Sequence, residues 1–382
     1  MSIRLGTMPA IVISSPASLI LKTHDTSFAS PRLQASEYAT ASKTESFVWL
    51  RKEEIGSLVQ LLKKLAATGE VVDISEKVGG VVENIATTMI LGRSKDDDRY
   101  HFKEIADEVL KVAGAFNLAD YVPFIGVLDL QGMTRRTKKA ANSIHQVLEK
   151  IITEHEQDTD HQHRDFVDML LPLMNQPMNP HDKHVNIIDR TNIKAILIDL
   201  VMKKLQEELQ NVIGMDRMVE EKDLGKLSYL EMVVKETFRL HPVGPFLIPR
   251  ECLEDTTVEG YYIPKKSRIM VHTWAIGHDR NVWSNNVEEF YPERFIERNI
   301  DVRGHDFELL PFGSGRRMCP GMHTGLITVR LVLSQLVHCF NWELPFGLKP
   351  NDLDMTEVFG LTLPRANHLL LKPKNRLLFR TT

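Results

Sequence analysis

The chain has 382 residues, 43% of them hydrophobic and 26% charged, with a formal net charge of −4. That balance is ordinary for a globular protein, and the slightly negative charge argues against nucleic acid as a partner. Three cysteines, Cys252, Cys319 and Cys339, show no CxxC spacing, which disfavours a disulfide framework or a structural zinc site and fits a reducing compartment.

Met1 to Ser15 reads as two short strands, Ser2–Leu5 and Ala10–Ser14, without the n-region and h-region of a signal peptide. No apolar run approaches the ~18 residues needed to span a bilayer, so the sequence carries no membrane anchor as written. Ser15-Pro16 caps a short helix, Ala17 to Thr23, and Phe28 to Ser46 is polar and irregular. Helical periodicity returns at Glu53–Ala67, with Ile55, Leu58, Val59, Leu61 and Leu62 on one side. Asp73-Ile74-Ser75 is a helix start signal, and Val78 to Leu91 reads as a largely buried helix. Phe102–Ala113 and Arg135–His155 are two more helices, with a loop over Ala119–Gly132 between them.

Thr153 to Arg190 is polar and rich in histidine around one apolar island, Phe166–Met174. His181 and His184 offer a possible metal pair, but they lack a carboxylate shell, and a solvated connection is the default. Ile193 to Val212 then changes character midway. Up to Met202 it is apolar nearly all round, as in a buried helix, whereas Lys203 to Gln210 is amphipathic. Tyr229 to Leu240 is an amphipathic helix stopped by His241-Pro242. Thr257 to Thr273 turns to strand patterning, with a hairpin turn expected around Pro264–Ser267. An aromatic, proline-bearing segment, Trp274 to Phe295, follows. Helices dominate, so the expected fold class is mainly α with small β-sheets.

The most specific stretch is Phe312-Gly313-Ser314-Gly315-Arg316-Arg317-Met318-Cys319-Pro320-Gly321, a glycine-rich loop delivering one cysteine to a helix over Met322 to Phe340. Pro320 is expected in the first helical turn, where its missing N–H costs nothing. The helix N-terminus is expected to favour a thiolate at Cys319, and Gly313 and Gly315 let backbone donors approach the sulfur. A thiolate built this way is a metal ligand or a nucleophile; the plain alternative is an ordinary buried thiol in a turn. A cysteine phosphatase is excluded because Gly325 stands where its arginine is required. A dinucleotide loop is excluded because Met318 stands where a third glycine is required.

Two further motifs are weak alone. Glu236-Thr237-Phe238-Arg239 puts a carboxylate and a guanidinium on one helix face, and such pairs are common on surfaces. Pro292-Glu293-Arg294-Phe295 adds a second arginine. Their order is informative. Glu-x-x-Arg on a helix, a strand region, Pro-Glu-Arg-Phe, then Phe-x-x-Gly-x-Arg-x-Cys-x-Gly resembles the C-terminal layout of the cytochromes P450. Tyr261-Tyr262-Ile263-Pro264-Lys265 and Trp274-Ala275-Ile276-Gly277-His278-Asp279 resemble its plant microsomal branch, and the likeness extends upstream over most of the chain.

The resemblance implies a haem domain over residues 1–382. Its parts would be an N-terminal β and irregular part (1–46), a helical part (47–213) and a proximal haem-binding part (214–382). It implies haem b with Cys319 as the axial thiolate, whose electron donation favours O–O cleavage. Arg317 and Arg250 would bind the propionates. Phe312 would shield the sulfur, and Gly313, Gly315 and Gly321 would shape the loop and let the helix approach the macrocycle. Glu236, Arg239 and Arg294 would form a buried charge triad. Val243, Phe246, Leu247 and Ile248, with Phe359 and Leu361, align with substrate-contacting segments, although such side chains serve equally well in a core. The implied activity is monooxygenation of a lipophilic small molecule by O2, with NADPH-derived electrons delivered by NADPH-cytochrome P450 reductase. The implied location is the cytosolic face of the endoplasmic reticulum membrane.

Three features of the family are missing from the sequence. The N-terminal apolar anchor is one. The helix carrying Trp-x-x-x-Arg is another, since Trp49 is followed four residues on by Glu53. The third is most of the long central helix above the haem. Crossing a ~40 Å protein takes ~27 residues at 1.5 Å each, whereas Ile193–Val201 supplies only an opening and no Ala-Gly-x-Asp-Thr motif occurs. The pattern change at Val201–Met202 therefore reads as a deletion junction. A haem binder without turnover, or a haem-free remnant, are the alternatives that this absence raises.

Overall fold

The computed structural model describes residues 2–5, 8–14, 41–91, 108, 131–133, 135–139, 142–143, 199–258, 260–284, 287–296, 298–315, 318–348, 353–358 and 360–377. The helices expected over Ala17–Thr23 and 144–155, the histidine-rich segment with His181 and His184, and most of Phe102–Ala113 lie outside these residues. The chain divides into two compact units. The larger comprises residues 1–2, 10–81 and 185–382, and the smaller residues 3–9 and 82–184.

In chain order the strands and helices are β1 (Ser2–Leu5), β2 (Met8–Ile13), α1 (Ala41–Ser46), α2 (Val48–Thr68), β3 (Val72–Asp73) and α3 (Ile74–Leu91). There follow α4 (Asp199–Ile213), α5 (Ser228–Leu240), β4 (Arg250–Glu251), β5 (Thr256–Val258), β6 (Tyr261–Ile263) and β7 (Arg268–Val271). Last come α6 (Thr273–Gly277), α7 (Arg280–Trp283), α8 (Met322–Cys339), β8 (Phe340–Glu343) and β9 (Leu370–Asn375). Short 3₁₀ turns at Glu221–Lys226 and Pro292–Phe295 complete the larger unit. The architecture is mainly helical with small sheets, as expected.

Local chemistry accounts for the ends of several elements. Asp73 accepts the Glu76 N–H at 2.8 Å, the N-cap bond that its start signal predicts. α2 closes on Gly69 at φ 70°, whose N–H reaches the Leu65 carbonyl, a left-handed cap that glycine adopts without strain. The expected hairpin is displaced. β5 and β6 pair across Gly260 at φ 82°, while Pro264–Ser267 turns the chain from β6 into a different sheet, with Lys266 at φ 67°. There β7 runs parallel to β2 (Ala10↔Arg268 to Ile13↔Val271) and antiparallel to β4 (Arg250↔Ile269). Proline at the turn's start ends β6 because it has no N–H for a ladder.

α8 is the hub of the larger unit. Every residue from Leu331 to Cys339 is buried, and α8 packs against α1, α2, α4, α5, β8 and the Glu221–Lys226 turn. A helix buried on every side belongs at such a centre, and its buried polar groups Ser334, Gln335 and His338 meet carbonyls there. α4 docks through Val201, Leu205, Leu209 and Ile213, a stripe at four-residue spacing whose first described member, Val201, stands at the expected junction Val201–Met202. Gln206 on the same helix donates to the Val337 carbonyl and to Asn341. The Glu208 carboxylate accepts the Tyr229 and Leu230 N–H groups at 2.6 and 2.9 Å, supplying acceptors at the open N-terminus of α5. From α2, fully buried Arg51 forks onto Glu221 at 2.6 and 3.0 Å and reaches the Thr44 carbonyl.

His338 of α8 is buried, with Nε2 facing the Arg217 carbonyl at 3.1 Å and Nδ1 unpartnered among the described residues. Burial is the main cause that holds its pKa below the ordinary histidine value; the Arg217 carbonyl contact opposes it, and Arg376 and Arg217 add smaller repulsions. The unfolded chain takes up the proton as pH falls through about 6.5 while the folded chain resists it. Stability should therefore decline as pH drops from 7.5 to 5. Urea unfolding across that range should show a shallower decline in His338→Gln, and a slope equal to the parent's would rule out an imidazole contribution.

Candidate functional site

The cysteine loop is built by its own backbone. Gly313 and Gly315 adopt φ 73° and 68°, conformations that disfavour any side chain. The Cys319 N–H bonds to the Phe312 carbonyl at 2.9 Å, Met318 N–H to Gly315 at 3.1 Å and Gly313 N–H to Leu310 at 3.2 Å. α8 begins at Met322 with Gly321 as N-cap, so Pro320 lies before the helix and not in its first turn. Cys319 thus stands two residues outside the cap. It is half-buried, whereas Cys252 and Cys339 are fully buried.

The expected thiolate preference is not what the site produces. Burial pushes the Cys319 thiol up, and a hydrogen bond from the Gly321 N–H opposes this only in part. Desolvation outweighs the helix terminus because the sulfur sits short of the first turn, where the dipole's effect is strongest.

The residues around the sulfur fit an axial haem ligand. The sulfur receives a backbone N–H, and Cys319 is not fully buried. A β-carbon on Gly321 would stand 3.9 Å from it, so glycine leaves that face open. Phe312 meets Phe238 of α5 edge-on at 5.5 Å between centroids. Arg317 lies outside the described residues. Arg250 is buried and donates through Nη2 to the Ser314 carbonyl at 2.5 Å, so at least one of its N–H groups serves the loop itself.

Glu236, Arg239 and Arg294 come together in one buried cluster. Arg239 grips the carboxylate at 2.8 and 2.9 Å, Arg294 Nε reaches both oxygens at 2.9 and 3.0 Å, and the Tyr291 N–H adds a bond at 2.8 Å. The remaining N–H groups of Arg239 reach the Gly277, Val287 and Glu289 carbonyls, so all five of its donors are engaged. Gly277 is required for this closeness, since a β-carbon there would lie 2.4 Å from the Arg239 carbonyl oxygen.

The two candidate substrate segments also meet. Leu363 N–H bonds the Val243 carbonyl at 3.0 Å, and Gly244 lies beside the Leu361 carbonyl. Phe246 stacks on His272 at 4.2 Å, Leu247 packs against the sheet core and Ile248 is exposed. Phe359 is outside the described residues. A small cavity under α5, lined by Phe238, Pro242, Thr273, Ile276 and Leu309 among others, has a volume of about 10 Å³. That is room for at most one water.

Among the contacts that escaped the sequence reading are Ser314 with Gly304, Glu208 at the start of α5, and Lys204 with Glu293, an ion pair to which the Tyr229 hydroxyl also bonds. The first left a trace, because Asp301-Val302-Arg303-Gly304-His305-Asp306 has the composition of a tight loop. The others join residues far apart in the chain and left none.

The cytochrome P450 family model matches residues 26–202 and 199–371, two pieces that abut where the sequence pattern changes. Cytochrome P450 CYP736A12 of Panax ginseng is 50% identical over 434 aligned residues, covering 99% of this chain and 87% of the relative. The flavonoid 3′-monooxygenase CYP75B137 of Crocosmia x crocosmiiflora is 33% identical, covering 98% and 85%. A zebrafish cytochrome P450 solved with progesterone superposes with a TM-score of 0.77 at 22% identity, covering 98% of this chain and 96% of that one; at that identity the likeness concerns the fold alone. The chain belongs to the cytochrome P450 family, on its plant branch, and is by kinship an oxidoreductase of the monooxygenase type. The family implies haem, a redox partner and a small-molecule substrate.

Replacing Glu236 by Gln strands two buried guanidinium charges, and losing one partner of a buried ionic cluster costs about 3–5 kcal/mol. Urea unfolding of Glu236→Gln should show a loss of that size. A loss under about 1 kcal/mol would mean that the cluster is solvated.

Proposed function

We propose that the chain holds haem b through Cys319 as axial ligand and that its reaction is monooxygenation of a small lipophilic molecule. The reading is carried by the half-buried sulfur at the mouth of the glycine loop, with the Gly321 N–H directed at it and no side chain on Gly321 to close the face. Arg317 and Arg250 would meet the propionates, with Arg250 sharing its donors between propionate and loop. Phe312 would keep water from the sulfur, and Gly313, Gly315 and Gly321 would allow the macrocycle to approach. Glu236, Arg239 and Arg294 would hold the segment that leads to the loop. When bound, the haem supplies oxygen activation, using NADPH-derived electrons delivered through NADPH-cytochrome P450 reductase at the cytosolic face of the endoplasmic reticulum. Val243, Phe246, Ile248, Phe359 and Leu361 would face an apolar substrate, with Leu247 given to the sheet core, consistent with plant relatives that include a flavonoid 3′-monooxygenase and a desmethyl-deoxy-podophyllotoxin synthase.

A second reading, haem binding without turnover, is favoured by one observation. The family match falls into two pieces joined at 199–202, and the alignment to the ginseng relative runs over 434 positions against 382 residues in the chain. In this reading the oxygen-facing helix is deleted at the junction, and no acid and threonine remain to manage protons there.

The reduced chain under carbon monoxide should show the red-shifted Soret band of a thiolate-ligated haem. Cys319→Ala should abolish that band and leave the helical circular dichroism largely intact; a surviving band would refute the ligand assignment. No haem uptake by the parent would sink both readings. A thiolate band without NADPH-dependent oxidation of any lipophilic substrate, in the presence of a plant reductase, would select the second.

A further inference from the structure

A second set of contacts reaches the cysteine loop, independent of the charge cluster. Residues 301–306 form a closed turn: Asp306 Oδ2 accepts the Asp301 N–H at 2.7 Å, and Asp301 Oδ1 accepts the Arg303 N–H at 2.7 Å. Within it Gly304 adopts φ 80°, and a β-carbon there would lie 2.7 Å from the Gly313 carbonyl oxygen and 3.0 Å from Ser314 Cα. Both neighbours are backbone, so the contact has little capacity to yield. The buried Ser314 hydroxyl donates to the Gly304 carbonyl at 2.8 Å. Separately, Arg250 on β4 donates to the Ser314 carbonyl at 2.5 Å. Ser314 is thereby held at its side chain and its backbone by two separate elements. The Phe312–Cys319 and Gly315–Met318 bonds close the loop across itself, so a displacement at Gly313–Ser314 is passed on to the sulfur.

We propose that Gly304 and Ser314 are positioning residues for Cys319, gripping the loop between the 301–306 turn and β4 so that the sulfur stands at a fixed place. The inference rests on the haem-thiolate reading for its purpose, but the grip itself is a property of the haem-free chain. Removing the Ser314 hydroxyl deletes one buried hydrogen bond and leaves the charge cluster, β4 and the glycines as they are. One such bond corresponds to a change of about three- to tenfold in the population of an opened loop.

The test uses the full chain, first haem-free and then loaded with haemin. Labelling with a small maleimide, read by mass spectrometry at each cysteine, should be about three- to tenfold faster at Cys319 in Ser314→Ala than in the parent. Buried Cys252 and Cys339 should remain unlabelled, which separates a loosened loop from a general unfolding. In the haemin-loaded protein the fraction of thiolate-type band under carbon monoxide should fall in Ser314→Ala, with unchanged helical circular dichroism. Gly304→Ala should shift both readouts further in the same direction; if it labels all three cysteines it has unfolded, and Ser314→Ala alone decides. A thiolate fraction equal to the parent's in Ser314→Ala overturns the positioning role, whatever the labelling shows. If the parent takes up no haemin, the haem reading fails, and a labelling rate at Cys319 equal to the parent's then overturns the grip as well.

Discussion

The carboxylate of Glu236 is the point on which the proximal half of this molecule depends. It is fully buried, and it accepts hydrogen bonds from two guanidiniums and one backbone N–H. Two positive charges and one negative leave a net cation in the interior. The structure compensates by directing carbonyls at it: Gly277, Val287 and Glu289 at Arg239, and Trp283 at Arg294. These carbonyls lie at the C-terminal ends of α6 and α7 and in the connection that follows, so satisfying the charge also fixes the path of the chain from α6 to the Pro292–Phe295 turn. Desolvating such a cluster consumes much of its Coulombic gain. Its main effect is to select one arrangement, because every alternative path leaves a buried guanidinium short of acceptors.

The same economy explains how α4 remains attached although the chain before it changes character. Its buried face repeats every four residues from Val201 to Ile213, so the helix reads as one amphipathic unit on α8 with Val201 as its first contact. Polar bonds then tie it to elements already fixed by the charge cluster. Glu208 fills the open end of α5, and Lys204 reaches Glu293, the neighbour of Arg294. Val201 and Leu205, on either side of Val201–Met202, are both buried and keep that register.

Much of this was legible in the sequence, and the rest was not for definite reasons. The boundaries of α3, α5 and α8 follow from caps, a proline stop and apolar periodicity, all of which are local signals. The charge cluster was anticipated from two short motifs, but only because their order along the chain matched a known family; Glu236 and Arg239 alone look like a surface pair. The β5–β6 hairpin was misplaced because a proline turn at 264–267 outweighed the single glycine that reverses the chain. Glu208, Lys204 and the Ser314–Gly304 contact were invisible for another reason. Their partners are separated by ten to almost ninety residues, and no periodicity records such a meeting.

The cysteine shows why a motif needs its surroundings before its chemistry can be named. A thiol near a helix start is open to two uses, as a nucleophile or as a metal ligand. A nucleophile must ionise unaided near neutral pH, which requires a depressed pKa or an adjacent base. Here burial raises the thiol, and the one opposing contact is a neutral backbone N–H. A metal ligand has no such requirement, because the ion displaces the proton itself and the surroundings need only keep water away and hold the sulfur still. The loop meets those two needs. It half-buries Cys319, crosses it with backbone hydrogen bonds and pins the adjoining Ser314 through two separate contacts. The raised thiol pKa therefore counts against an unaided nucleophile, and the one opposing contact is the Gly321 N–H placed against the sulfur.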